Sequence, residues 1–175
     1  MKQLRKFLDT LYVAGAFIGA AFIVGIGLLI TAQVIGREIG TQVKGADDLT
    51  AWSVVAAGFM PLAYTYRMNG QIRVTLLIER FSGAVRRTME LLVLATAMFF
   101  VGFLTYSAFD MVWDSLRFGD LSNGLIVIPL WIPQLSIGLG TLLFLIAIMD
   151  DIAVSLMGGK PSYMEAADTT DMRQH

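Results

Sequence analysis

From Leu11 to Ile35 the chain carries no charged side chain, and this run constrains the fold more than any other feature. A helix rises about 1.5 Å per residue, so the stretch can cross a hydrocarbon core of about 30 Å with some tilt. In lipid, backbone N–H and C=O groups must be paired within the protein, which limits a spanning segment to an α-helix or a closed barrel. Lys2, Arg5 and Lys6 precede the run, as they would in a secretory signal. Signal cores, however, are only about 7–15 residues long and end at a small-residue cleavage site. The length here predicts a retained first span over 11–35.

Three more apolar stretches follow, and charges gather in the short segments between them. Spans are expected over 48–66, 90–109 and 128–149. Pro61 removes a backbone donor from the second and should kink it. Pro129 and Pro133 are expected in the opening turn of the fourth, where a missing N–H costs little. Charged residues make up 15% of the chain, against about a quarter in a soluble domain, and the mean hydropathy is +0.68. The predicted fold is therefore all-α and integral to the membrane, with a membrane domain over 1–157. A polar tail over 158–175, rich in acids and containing Pro161, is expected to be disordered.

Orientation follows from Lys and Arg alone. The N-terminal arm, the segment between spans two and three (Arg67, Arg73, Arg80, Arg86, Arg87) and the tail (Lys160, Arg173) hold ten of the 13. The two remaining loops hold Arg37, Lys44 and Arg117. Both ends are thus predicted in the cytoplasm. Trp52, Trp113 and Trp131 then all fall at the outer boundary, the depth that tryptophan favours. Between spans two and three, Val74, Leu77, Ile78, Phe81 and Val85 share one helical face, with Arg73, Glu79, Arg80, Arg86 and Arg87 around the rest. That pattern predicts an amphipathic interfacial helix over 71–88, its arginines towards anionic headgroups. A helical extension of span three packed on protein would fit the same pattern.

Gly15 and Gly19 form a small-residue pair that lets another helix approach closely. The pair could serve a partner helix or another span of this chain; Gly15, Gly19, Pro61 and Gly138 are the packing candidates. Asp47 and Asp48 precede span two as an N-cap would, with charge that suits a helix N-terminus. Asp150 and Asp151 oppose the dipole of their own helix, and an arginine of the interfacial helix is their expected counter-ion.

Mid-bilayer depth falls near Ile23, Ala57, Phe100 and Leu139, and no Asp, Glu, Lys, Arg or His lies near any of them. Ion-coupled carriers usually place ionisable or unwound polar groups there. The chain has no cysteine and a single histidine, His175 in the tail, so thiol chemistry and bis-histidine haem ligation are excluded. Phosphate-binding glycine loops and hydrolase or metalloprotease motifs are missing as well. A net charge of −1 lacks the basic face that nucleic-acid binding needs. No enzymatic activity, catalytic residue, metal site or cofactor is expected in this chain.

Two local patterns carry a family resemblance. One runs from Tyr64 to Leu77 through Arg67 and Arg73; the other is the opening of the last span, Ile128 to Gln134 with Pro129, Trp131 and Pro133, followed by Gly138 and Gly140. With the length and four spans, they make the chain resemble the small membrane subunit, or Q component, of tripartite ATP-independent periplasmic (TRAP) transporters. Gln71 stands where that family usually has His, and Thr75 where it usually has Asp. The resemblance implies a non-catalytic scaffold in the bacterial inner membrane, with no substrate site of its own. Its implied partners are a large permease subunit holding the sodium and substrate sites, a periplasmic substrate-binding protein that delivers an organic acid, and membrane lipids. The readings from other classes are a homo-oligomeric small channel or exporter, joined through Gly15 and Gly19, and the membrane anchor of another complex.

Overall fold

A computed structural model describes residues 2–41, 43–68 and 84–157. Within them lie α1 (Lys2–Glu38), α2 (Ala46–Phe59), α3 (Leu62–Arg67), α4 (Ala84–Phe118) and α5 (Trp131–Leu156). Three of these, α1, α4 and α5, are long and apolar enough to cross a membrane. The expected second span is two helices in succession. Pro61 has no N–H to give the Ala57 carbonyl, so the ladder fails there. Met60 still donates to the Ala56 carbonyl at 3.0 Å, and the next helix begins where the Thr65 N–H reaches the Pro61 carbonyl at 2.9 Å.

The apolar runs underestimate helix length. α1 extends N-terminally past Leu11 to Lys2, and α4 extends C-terminally past Phe109 to Phe118. Hydropathy marks only the apolar part of a helix, whereas the hydrogen-bond ladder continues through residues with exposed charged side chains, here Asp110, Asp114 and Arg117. Both helices stop in the same way. The Thr41 N–H returns to Gly36 O at 2.8 Å and the Asp120 N–H to Ser115 O at 3.1 Å. Each is the wide closing bond of a Schellman turn, whose preceding residue must be left-handed. Gly40 (φ 74°) and Gly119 (φ 67°) supply it.

The helices form a row in the order α1, α2–α3, α5, α4, with α4 resting chiefly on α5 and α1 chiefly on α2 and α3. On α4, Glu90, Leu94, Ala97, Val101, Thr105, Ala108, Val112 and Ser115 are buried or half-buried, with Leu91, Gly102, Ser107 and Phe109 half-buried beside them. Spacings of three and four place the first set on one seam, the pattern of knobs-into-holes packing. α5 is covered on two sides, which explains an apolar sequence all round it. The main core, Tyr12, Ala63, Tyr66, Ala147 and Ile148, lies in the half of the row nearest the N-terminus. Beyond Gly19, α1 stays beside α2 as far as the Gln33–Asp47 hydrogen bond, with open space on its other faces where a Cβ on Gly25 or Gly27 would touch nothing.

Two expectations are corrected in detail. Pro129 does not lie in the opening turn of the last helix; it pairs with Leu121 in an antiparallel bridge before α5 begins at Trp131. Only Pro133 occupies the first turn. The expected interfacial helix falls mostly outside the described residues, and its final part, 84–88, is the start of α4. The tail over 158–175 also lies outside them.

Candidate functional site

The break between α2 and α3 is gripped from both sides. On α1, Tyr12, Gly15 and Gly19 form a buried stripe. A Cβ on Gly15 would lie 2.7 Å from the Met60 carbonyl oxygen, and one on Gly19 would lie 2.9 Å from Pro61 Cδ. On α5, a Cβ on Gly140 would overlap the Phe59 carbonyl and lie 2.9 Å from Phe59 Cβ. Small residues let helix backbones touch where lipid offers no hydrophobic drive for association. Here they close on the break in the helical ladder between α2 and α3. Gly15, Gly19 and Pro61 therefore meet each other within the chain. Gly138 faces a different neighbour, the Phe109 ring of α4, at 3.4 Å. Gly140 carries as much of the grip as Gly15, yet in the sequence it stands out only as part of a family pattern; a glycine on a late apolar helix gives no sign of which carbonyl it admits.

One end of the row is polar. Arg67, at the end of α3, pairs with Asp9 of α1 at 2.7 Å, and its guanidinium lies 5.3 Å from the centre of the Tyr12 ring. Tyr66 packs edge-on against Phe144, ring centres 5.3 Å apart. The Tyr12 hydroxyl is fully buried and makes no hydrogen bond among the described residues. Glu90 and Asp151 are also buried, and both are engaged in polar interactions. Of the arginines expected at the membrane surface, Arg87 is exposed and donates from Nη2 to the Ser155 carbonyl at 3.3 Å. Arg73, Arg80 and the Arg86 side chain lie outside the described residues.

The opposite end is held by the two acids of α2. Gly45, not an acid, occupies the N-cap position, with left-handed backbone and no side-chain cap. Asp47 and Asp48 fall in the first turn, where their charge suits the helix dipole, and their carboxylates reach sideways. Asp47 Oδ1 accepts from Gln33 Nε2 at 2.7 Å, and Asp48 Oδ2 accepts from the Ile126 N–H at 3.3 Å. The second bond fastens the α4–α5 connection across the end of α2. Trp131 opens α5 beside this connection, Trp113 lies in the last turns of α4 and is 66% exposed, and Trp52 lies near the start of α2. All three tryptophans thus belong to one end of the row.

Between the two ends the described residues carry no ionisable side chain at mid-depth: Ile23 and Phe100 are exposed aliphatic and aromatic surface, and Leu139 is partly so. Two threonine hydroxyls in the spans are turned onto their own helices. Thr105 donates to the Val101 carbonyl at 2.8 Å, and Thr141 to the carbonyls of Ile137 and Gly138 at 2.8 and 3.1 Å. Such a hydroxyl satisfies itself locally and leaves nothing to hold a solute. Among the described residues the charged groups lie at the two ends of the row.

The family profile of the DctQ component of tripartite ATP-independent periplasmic transporters matches residues 26–157. A comparison with curated proteins returned no match. The matched segment covers most of the chain, from the C-terminal half of α1 to the end of α5. The chain belongs to the DctQ family, and it is a multi-pass membrane component of a transport system of that type.

Proposed function

We propose that this DctQ-family chain is the stationary small subunit of a sodium-coupled, binding-protein-dependent secondary transporter in a bacterial inner membrane. In this reading it crosses four times, with α2 and α3 together as the second crossing and both ends in the cytoplasm. A larger permease subunit binds sodium and an organic acid such as a dicarboxylate or a sialic acid and moves against it. A periplasmic binding protein delivers the solute. The observation that carries the reading is the combination of a mid-depth without ionisable groups and a helix break gripped by glycines on both sides. A carrier needs polar groups or unwound backbone open to the solute at the midplane. At the break between α2 and α3, Met60 and Pro61 keep helical backbone angles and are pressed by Gly15, Gly19 and Gly140, so the break stiffens the row and leaves no opening for a ligand. The excess of Lys and Arg on three of the five segments supports the orientation.

The homo-oligomeric channel relied on Gly15 and Gly19 as a subunit contact. Both face Met60 and Pro61 within the chain, which favours the scaffold reading. The test is purification of the tagged chain from its native membrane and uptake by cells lacking it. A stable complex with a large multi-span permease and loss of organic-acid uptake are expected. Normal uptake in a clean deletion, or solute accumulation by vesicles containing this chain alone, would refute the proposal.

A further inference from the structure

The connection from α4 to α5 is a closed hairpin. The Ser122 N–H donates to Ile128 O at 2.9 Å and the Leu130 N–H to Asp120 O at 3.0 Å, on either side of the Leu121–Pro129 bridge. Its side chains alternate as they do along a strand. Ser122, Gly124, Ile126 and Ile128 are half-buried, while Leu121, Asn123, Leu125 and Val127 are exposed. Ile126 covers Gly45, and Asp48 holds the Ile126 N–H. The inward face is thus fixed to α2, and the outward face cannot turn over to hide its side chains. Leu121, Leu125 and Val127 remain 53%, 78% and 63% exposed. From Leu121 to Trp131 there is no charged residue.

We propose that this hairpin is an interfacial wedge, its Leu121, Leu125 and Val127 face lying in the boundary between headgroups and acyl chains of the leaflet at the tryptophan end. The proposal rests on the membrane-spanning reading given above. Burying a large aliphatic side chain is worth about 1.5–3 kcal/mol, so three held rigidly in water would be a substantial cost. Lipid is the occupant that three observations favour. The hairpin continues the apolar outer surface of α4, whose last residues include exposed Trp113 and Phe118. Tryptophan marks the headgroup depth, and Trp113 and Trp131 flank the hairpin on both sides. Finally, three aliphatic side chains make a patch far smaller than the roughly 800 Å² per partner of a stable protein interface. Insertion at this end, at a point fixed to α2 by Asp48, would resist tilting of the whole row.

The chain has no cysteine, so single-cysteine variants need no prior substitutions. Leu125→Cys, Val127→Cys, Asp120→Cys and Ile23→Cys, each in the full chain, would carry a nitroxide label in nanodiscs of phosphatidylethanolamine and phosphatidylglycerol. Relaxation by oxygen, which concentrates in lipid, is compared with relaxation by a water-soluble nickel chelate. At Leu125 and Val127 oxygen should exceed nickel by several-fold; at Asp120 the order should reverse. Equal, high nickel access at Leu125, Val127 and Asp120 would overturn the wedge while Ile23 remained oxygen-dominated. An aqueous label at Ile23 would bring down the spanning reading and the wedge with it. Shielding of Leu125 and Val127 from both reagents only when the large permease subunit is present would assign the face to protein, and would also overturn it.

Discussion

Alanine at Gly140 and alanine at Gly58 should move stability in opposite directions. Both glycines lie on apolar helices, and in a helix interior Gly is about 0.8–1.0 kcal/mol less favourable than Ala. At Gly58 a Cβ meets nothing within 4 Å, so the propensity gain stands alone and the variant should be more stable by about 0.5–1 kcal/mol. At Gly140 the new methyl would lie 2.5 Å from the Phe59 carbonyl carbon. That atom is backbone in a helix already pressed on its far side by Gly15 and Gly19, so it cannot swing away as a side-chain tip can. Overpacking of this kind costs about 1–3 kcal/mol. After the propensity gain, a net loss of about 0–2 kcal/mol remains. The propensity gain is common to both variants, so they should differ by the overpacking cost alone, about 1–3 kcal/mol or some 5- to 150-fold in the ratio of folded to unfolded chain. Titration of mixed micelles with a denaturing detergent, followed by tryptophan emission and helicity, measures the difference. Trimming Phe59 to Ala should not rescue Gly140→Ala, because the overlapping atoms are carbonyl and Cβ. Equal midpoints for Gly140→Ala and Gly58→Ala would refute the close approach of α5 to the break.

Much of this architecture is written locally in the sequence. The charge-free runs mark the hydrocarbon segments because a charge at mid-bilayer is costly at every such position. Pro61 marks the break because its missing donor acts on its own helix. The Trp residues mark one boundary for a reason that needs no neighbour. What the sequence hides is pairwise. Gly15, Gly19 and Gly140 look alike, and only the fold shows that they converge on Met60, Pro61 and Phe59. Asp47 and Asp48 read as a cap, since a cap is the nearest use for an acid before a helix; their partners, Gln33 and Ile126, are far away in the chain. The hairpin was missed for a related reason. Apolar Leu125 to Leu130 merges with the start of the last span in any hydropathy reading, while its alternation and the Leu121–Pro129 bridge are non-local. Helix ends beyond the apolar core are hidden too, because the headgroup layer tolerates charges on a continuing helix.

Tyr12→Phe should leave the chain as stable or raise its unfolding midpoint slightly, because the hydroxyl it removes is buried without a hydrogen-bond partner among the described residues; leaving such a group unpaired costs about 1–3 kcal/mol. Asp9 is 52% exposed, so a double-mutant cycle of Asp9→Ala with Arg67→Ala should give a coupling of at most about 1 kcal/mol, weakened by salt; a larger, salt-insensitive value would contradict the exposed geometry. Asp48→Ala should act locally on the hairpin. The bond it removes is charge-assisted but long at 3.3 Å, which puts its worth near the lower end of about 1.5–3 kcal/mol. Amide exchange at Ile126 should then accelerate by about tenfold, while the global midpoint changes little. Asp47→Ala removes a neighbouring first-turn charge and the Gln33 bond, so it supplies the same loss to the helix dipole without touching the hairpin. If Asp47→Ala accelerated Ile126 as much as Asp48→Ala does, the dipole and not the cross-chain bond would be what fastens this end, and the rigid outward face of the hairpin would lose its cause.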